Sequence, residues 1–339
     1  MTNNDRWMMV LPPKGAARYV ALNAANAFSE KIGPDLFKCF DSLSYYQAFG
    51  NLLKTPDENL TVDLLNQSLI VTCLDFGTNH LITGALSPIT LFTLNLLRKQ
   101  NITTTHWFYE DFRRALYWKE VISGYDHFCT IQKGKLPEIC KKSGTNYHFL
   151  PTATSFINNE SLRSDENLYD IAFIGIPSPY RIDVLEKLHA SGLSLAIAGS
   201  CWDTYRGPLE KVLISTHWTN DSQMQIILSR TKIGINLSIE DPHDREDVHI
   251  SPRVYEILAS GVVLLTEDVP LIYDSLSECS FQTFTDSEDL CQKVKKILFN
   301  THSEKKTSDK NRMLILNNHT FSNRIDQLMS FVKRNSEDE

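Results

Sequence analysis

The chain has 339 residues, of which 42% are hydrophobic and 22% charged, with a net charge of -7. That length suits two domains, each long enough to bury a core, and the composition is ordinary globular usage. The negative balance and the scattering of Lys and Arg argue against polymer nucleic acid, whose phosphates need a dense basic surface.

Apolar runs with strand character recur at 7–11, 69–75, 103–109, 127–131 and 147–150, separated by helical patterns such as 16–31 and 88–99. Alternation of this kind predicts parallel βαβ units. Residues 37–40 add a further strand, and 43–54 and 60–66 read as helices joined by the polar turn 55–59. The polar stretch 158–167 reads as a linker. Beyond it come a strand at 169–175, a helix at 179–190 and a second strand at 193–198, with further strands at 233–237 and 262–266. Residues 300–310, charged and polar, read as a loop or frayed helix end, and the last helix runs from about 322 to 333.

Between these strands lies SPRVYEILASGVVLLTED (251–268). Ser251 is an N-cap, Pro252 fits the first helical position and Gly261 lies just past the end. Arg253 and Glu256 share one helix face, placing a cation for phosphate and a carboxylate for a sugar diol about one turn apart. The amides and positive dipole end of this helix add to anion binding. Together with NNHTFSNRIDQLMSFV (317–332), this segment resembles the C-terminal domain of GT-B glycosyltransferases, with the spore-maturation-protein-like group the nearest likeness.

The resemblance covers roughly 170–332. It implies an α/β protein of GT-B architecture, with two Rossmann-like domains facing a central cleft. The first domain would span 1–157, followed by a linker at 158–168, a nucleotide-sugar donor domain at 169–317, and a helix and tail at 318–339 packing back on the first domain. The resemblance also implies that Glu256 holds the ribose hydroxyls of a nucleoside diphosphate sugar and that catalysis needs no metal or other cofactor. Many relatives carry a second glutamate two turns earlier, where this chain has Val248 preceded by Glu246 and Asp247.

Other candidates follow from position. Ser178-Pro179 opens a helix with Arg181 in its first turn, so Arg181 and Arg253 can converge on one pyrophosphate; an ion pair with Asp183 or Glu186 is the plainer alternative. For Arg253 that alternative is pairing with Glu246 or Asp247. Gly175 and Gly199 follow strands and let a ligand or another backbone approach. Trp202 offers a face for a nucleobase, against simple packing. Asn236 and His249 complete the donor set. The run DPHDRE (241–246) has no metal-ligand spacing.

The first domain should supply the acceptor side. His80 is expected in the loop after the 69–75 strand, and Glu110-Asp111 closes the 103–109 strand, so all three reach the carboxyl edge of a parallel sheet. Inverting transfer needs a general base, for which Asp111 is the first choice and His80 the second; pairing of the acids with Arg113 and Arg114 is the alternative. Lys14-Gly15 reads as a helix-start turn.

The expected function is transfer of a sugar from a nucleoside diphosphate to a hydroxyl acceptor, whether glycan, lipid, protein or small molecule. A nucleotide-sugar epimerase or a non-catalytic nucleotide-sugar binder would use the same fold. The seven cysteines lack CxxC spacing, which predicts no zinc site or disulfide framework and a reducing cytoplasm. No stretch approaches the roughly 20 apolar residues of a spanning helix, which predicts a soluble protein and leaves room for a peripheral membrane contact.

Overall fold

A computed structural model describes residues 4–52, 57–156, 168–242 and 248–335. The expected linker residues 158–167 and the carboxylates Glu246 and Asp247 lie outside the described residues. The chain divides into two compact units, Met1–Thr152 with Phe321–Glu339, and Ala153–Thr320. These divisions lie a few residues from the expected 157 and 318. Thr154 and Thr320 form a parallel bridge and both belong to the second unit.

In the first unit the order is β1 (Trp7–Leu11), α1 (Gly15–Ile32), β2 (Phe37–Asp41), α2 (Ser42–Leu52), α3 (Glu58–Phe76), β3 (His80–Gly84), α4 (Leu91–Lys99), β4 (Thr103–Phe108), α5 (Trp118–Val121), β5 (His127–Thr130), α6 (Leu136–Ser143) and β6 (Asn146–Phe149). The strands pair in parallel in the order β2-β1-β3-β4-β5-β6. β1 and β3 are buried along their whole length, as strands covered on both faces must be. Ala17, Ala21, Ala24 and Ala25 of α1 are buried, and their small side chains allow close approach to the sheet.

One expected strand is a helix. Residues 69–75 belong to α3, which Asp57 caps by accepting the Leu60 N–H at 3.1 Å and which Gly77 ends in the left-handed conformation at φ 66°. The apolar run that resembles a strand arises because α3 carries apolar residues on two faces. The true strand is β3, and His80 is its first residue.

The second unit runs β7 (Tyr169–Ile174), α7 (Pro179–Ala190), β8 (Leu195–Ala198), β9 (Leu213–Ser215), α8 (Asp221–Ser229), β10 (Thr231–Asn236), α9 (Pro252–Ala259), β11 (Val263–Glu267), α10 (Pro270–Ser275), β12 (Gln282–Phe284), α11 (Ser287–Phe299) and α12 (Thr301–Asn318). Its parallel sheet has the order β12-β11-β10-β7-β8-β9, the doubly wound order of dinucleotide-binding folds. Ile171, Phe173, Ile197, Ile233, Ile235 and Leu265 lie at the centre of the buried core.

Residues 301–310 are helical and open α12, against the expected loop or frayed end. α12 lacks a strong apolar stripe, and polar contacts take its place: Asn311 accepts the Ser280 N–H at 2.9 Å and donates to its carbonyl at 2.5 Å, while Arg312 donates to the Ala259 carbonyl at 3.2 Å. Hydropathy does not register such anchors.

The final helix, α13 (Phe321–Asn335), belongs to the first unit and packs on α1, with a Lys31–Asp326 ion pair at 2.8 Å. His319, Phe321 and Arg324 of the 317–332 segment each have a defined packing role. His319 stacks on Tyr255 and pairs with Glu278, Phe321 meets Trp107 edge-on, and Arg324, 2% exposed, donates to the Pro151 and Thr152 carbonyls at 3.1 and 3.0 Å. Hydrogen bonds from a charged donor contribute about 1.5–3 kcal/mol each. Arg324→Ala should therefore lower stability by about 2–4 kcal/mol in urea unfolding, with Arg324→Lys recovering only part. An unchanged midpoint for Arg324→Ala would show that these carbonyls do not depend on it.

Candidate functional site

The order in which strands are added to the second sheet reverses between β7 and β10, so a crevice is expected at their carboxyl ends. Arg181, in the first turn of α7, spans these ends. Its Nε donates to the Leu237 and Ser238 carbonyls, both at 3.1 Å, its Nη2 to Leu237 at 2.6 Å and its Nη1 to Ile176 at 2.9 Å. The guanidinium also lies over the Phe173 ring. Arg181, expected at the pyrophosphate, here directs these donors to backbone carbonyls. The expected acidic partners are engaged elsewhere, Asp183 with Lys187 and Glu186 with the Tyr205 hydroxyl.

α9 forms as its sequence dictates. Ser251 accepts the Arg253 N–H at 3.2 Å and Pro252 occupies the first turn. Gly234 of β10 allows the helix to settle, since a Cβ there would lie 2.7 Å from Ile257 Cγ2. Arg253 and Glu256 share one face and form an ion pair with each other. Arg253 also donates to the Ile174 carbonyl at 3.1 Å and contacts the Met224 sulfur, so it fastens α9 to β7 and α8. Glu256 is only 1% exposed. Two residues read as separate ligands thus act on each other. His249 is half-buried two positions before the cap.

Sequence reasoning missed one buried acid at this carboxyl edge. Glu267 ends β11, is 2% exposed, and accepts the Ser238 N–H at 2.6 Å and the Ser238 hydroxyl at 2.8 Å. Burial raises its pKa to about 7, against the opposing pull of Ser238, Arg181 and Tyr180. Next to it, Asn236 ends β10 and donates to Thr266 Oγ1 at 3.0 Å. The signal was present in TED: an acid at the last position of a buried parallel strand.

Gly175 and Gly199 serve each other. Gly199 has φ 145°, and a Cβ on it would come within 2.3 Å of the Gly175 carbonyl oxygen. The approaching group is backbone. That carbonyl accepts from Trp202 Nε1 at 2.8 Å, and Trp202 is wholly buried against Phe173 and Tyr205. Its expected stacking on a nucleobase is therefore replaced by packing.

In the first unit, Glu110 and Asp111 follow β4 at the carboxyl edge. Asp111 accepts from Arg113 Nε at 3.0 Å, Nη2 at 2.5 Å and its backbone N–H at 3.0 Å, so it braces its own turn. Glu110 is half-buried, and burial raises its pKa, with Arg114 opposing and Asp111 reinforcing. Beside it a buried network runs from Tyr125 through Thr83 to His106, and from His106 Nε2 to the Tyr117 hydroxyl at 2.9 Å. Tyr117 in turn accepts the N–H of Leu86, which is held at φ 62°. His80 belongs elsewhere: as the first residue of β3 it lies at the amino edge, stacked on Trp7 and 3.6 Å from Asp5. Its proposed place at the carboxyl edge depended on the misread 69–75 strand. Among the described residues, no group of three or more His, Cys, Asp or Glu could hold a metal ion, and no helix is long and apolar enough to cross a membrane.

The raised pKa of Glu267 has a consequence for stability. A proton bound more tightly in the folded state stabilises fully below the unfolded pKa and is lost as pH rises through about 7. Glu267→Gln should remove about 2–4 kcal/mol of the fall in stability between pH 4.5 and 7. Chemical denaturation across that window tests this; parallel profiles for the two proteins would contradict it.

Comparison with known proteins places this geometry. No curated protein matches the chain. Sucrose-phosphate synthase from Thermosynechococcus elongatus superposes with a TM-score of 0.67 at 12% identity, covering 99% of this chain and 100% of that one. Anabaena Alr3699/HepE, in complex with UDP and glucose, gives 0.67 at 8% identity, covering 97% and 100%. A putative UDP-N-acetylglucosamine 2-epimerase from Listeria monocytogenes gives 0.56 at 10% identity, covering 99% and 98%. At such identities these likenesses establish the fold. Residues 181–330, most of the second unit with part of α13, match the glycosyl transferase-like family model, and the chain has the two-sheet α/β fold of GT-B glycosyltransferases.

Proposed function

We propose that the protein transfers a sugar from a nucleoside diphosphate sugar to a hydroxyl acceptor. The observation that carries this reading is the coincidence of the family match with the polar strand edge of the same unit, where Arg253, Glu256, Asn236 and Glu267 lie at or beside the carboxyl ends of β7, β10 and β11. Arg253, held by Glu256, is the cation for the pyrophosphate leaving group, an electrostatic contribution strongest where water is excluded. Glu256 meets the ribose only through rearrangement of that pair. A UDP-sugar is the first donor to test, since Alr3699/HepE was crystallised with UDP-glucose as well as with UDP and glucose. The reading includes metal-independent catalysis in the cytoplasm and a place in the spore-maturation-protein-like group.

On the acceptor side, Glu110 is the proton acceptor we favour, since Asp111 is tied to Arg113. The Listeria neighbour keeps epimerisation as the second reading. Incubation with a panel of sugar nucleotides separates the two: release of nucleoside diphosphate supports transfer, whereas an epimerised nucleotide supports the alternative.

Arg253→Ala should weaken UDP binding in calorimetry by about 1.5–3 kcal/mol and free uridine far less, because the contact is charge-assisted and directed to phosphate. Equal losses would make Arg253 a purely structural brace. No binding by any nucleoside diphosphate would remove the reading altogether.

Glu110→Gln should lower transfer by about 100-fold at unchanged donor affinity. In the parent protein the rate should rise with pH through the raised pKa of Glu110. Wild-type rates in Glu110→Gln under chemistry-limited conditions would assign the proton elsewhere.

A further inference from the structure

Helix α3 is apolar on the face that it turns away from the core. Thr61, Leu65, Leu69, Cys73 and Phe76 are buried against the unit. On the opposite side, Leu60, Leu64, Gln67, Val71 and Leu74 follow one another at steps of four, three, four and three residues. At about 100° per residue they fall within about 40° of a single line. Leu60, Val71 and Leu74 are 41%, 57% and 50% exposed, and Leu64 is half-buried. A helix with apolar residues on two opposite faces is normally covered on both, and a four-three seam is the spacing at which a second helix inserts its side chains. The polar Gln67 at the centre of the seam is the kind of position that fixes register.

The charges decide what lies on it. Asp63 flanks the seam on one side, and Asp57 and Asp75 on the other. From Thr55 to Leu97 the sequence contains no Lys or Arg. A second copy is disfavoured: antiparallel pairing sets Asp57 against Asp75 of the copy twice, and parallel pairing brings no Lys or Arg of the copy's helix to face any of the three acids. An anionic bilayer is repelled in the same way.

We infer that the outward face of α3 is the docking seam for an amphipathic helix of another protein, with an apolar four-three stripe flanked by Lys or Arg. This inference is independent of sugar transfer.

Two labelled helical peptides of about 20 residues serve as probes, both with Leu at the seam positions, one with Lys and the other with Glu at the flanks. Fluorescence anisotropy with the full chain should show the Lys peptide binding at least about tenfold tighter than the Glu peptide, with a preference that weakens at high salt. Val71→Glu should lower affinity for the Lys peptide by about tenfold or more, although it adds negative charge, because the loss is apolar. Asp63→Lys with Asp75→Lys should reverse the preference. Circular dichroism verifies the fold, and Val71→Ser with Leu74→Ser replaces any variant that unfolds.

Equal affinity for the two peptides, no binding, or binding indifferent to the Val71 and Leu74 substitutions would overturn the proposal. A dimer in sedimentation equilibrium that Val71→Glu dissolves would assign the seam to a second copy. Cosedimentation with phosphatidylserine-containing vesicles that Val71→Glu abolishes would assign it to a membrane. Either result would also overturn the proposal.

Discussion

Strand ends in a parallel sheet leave carbonyl oxygens that need donors, and this chain satisfies many of them with side chains carrying several N–H groups or a large buried ring. Arg181 gathers the carbonyls of Ile176, Leu237 and Ser238, Arg253 takes Ile174, and Trp202 takes Gly175. In the other unit Arg324 serves Pro151 and Thr152, and Trp107 serves Leu150. Without these donors, buried carbonyls would go unpaired at a cost of about 1–3 kcal/mol each. Positioning of the loops at the carboxyl edges follows from meeting this requirement.

The same economy shapes the candidate site. Arg253 cannot be considered apart from Glu256, nor Ser238 apart from Glu267, because in each case a buried carboxylate accepts from the group that faces the strand ends. Burying a carboxylate is costly unless its hydrogen bonds are made. Glu256 has a cation, and Glu267 has neutral donors with a raised pKa. One edge therefore holds two acids of different character, one paired with positive charge and the other able to take up a proton near neutrality.

Much of this was legible in the sequence, and the gaps have physical causes. The start of α9 could be read residue by residue, because capping by Ser251, Pro252 at the first position and the i,i+3 relation of Arg253 to Glu256 are local rules. The partners of Arg181 were not legible. Two of the three, Leu237 and Ser238, are more than fifty residues away, and a carbonyl leaves no mark in sequence. α3 misled because period-based reading assumes one apolar face, and α12 misled because Asn311 and Arg312 anchor it without hydrophobicity. Glu110 follows β4 and Glu267 ends β11; the first was noticed and the second passed over in a stretch already read as strand.

The two-part make-up of the first unit bears on how the protein is made. α13 completes that unit, yet 168 residues of the second unit separate it from Thr152. At translation rates of about 5–20 residues per second, the first sheet waits roughly ten to thirty seconds on the ribosome before its last helix is synthesised. During that interval the Pro151 and Thr152 carbonyls lack Arg324, and His148 lacks the ring of Phe331 stacked on it at 4.4 Å. The second unit, contiguous in sequence, has no such wait, so the nascent chain is exposed to chaperones and proteases chiefly through an unfinished first half.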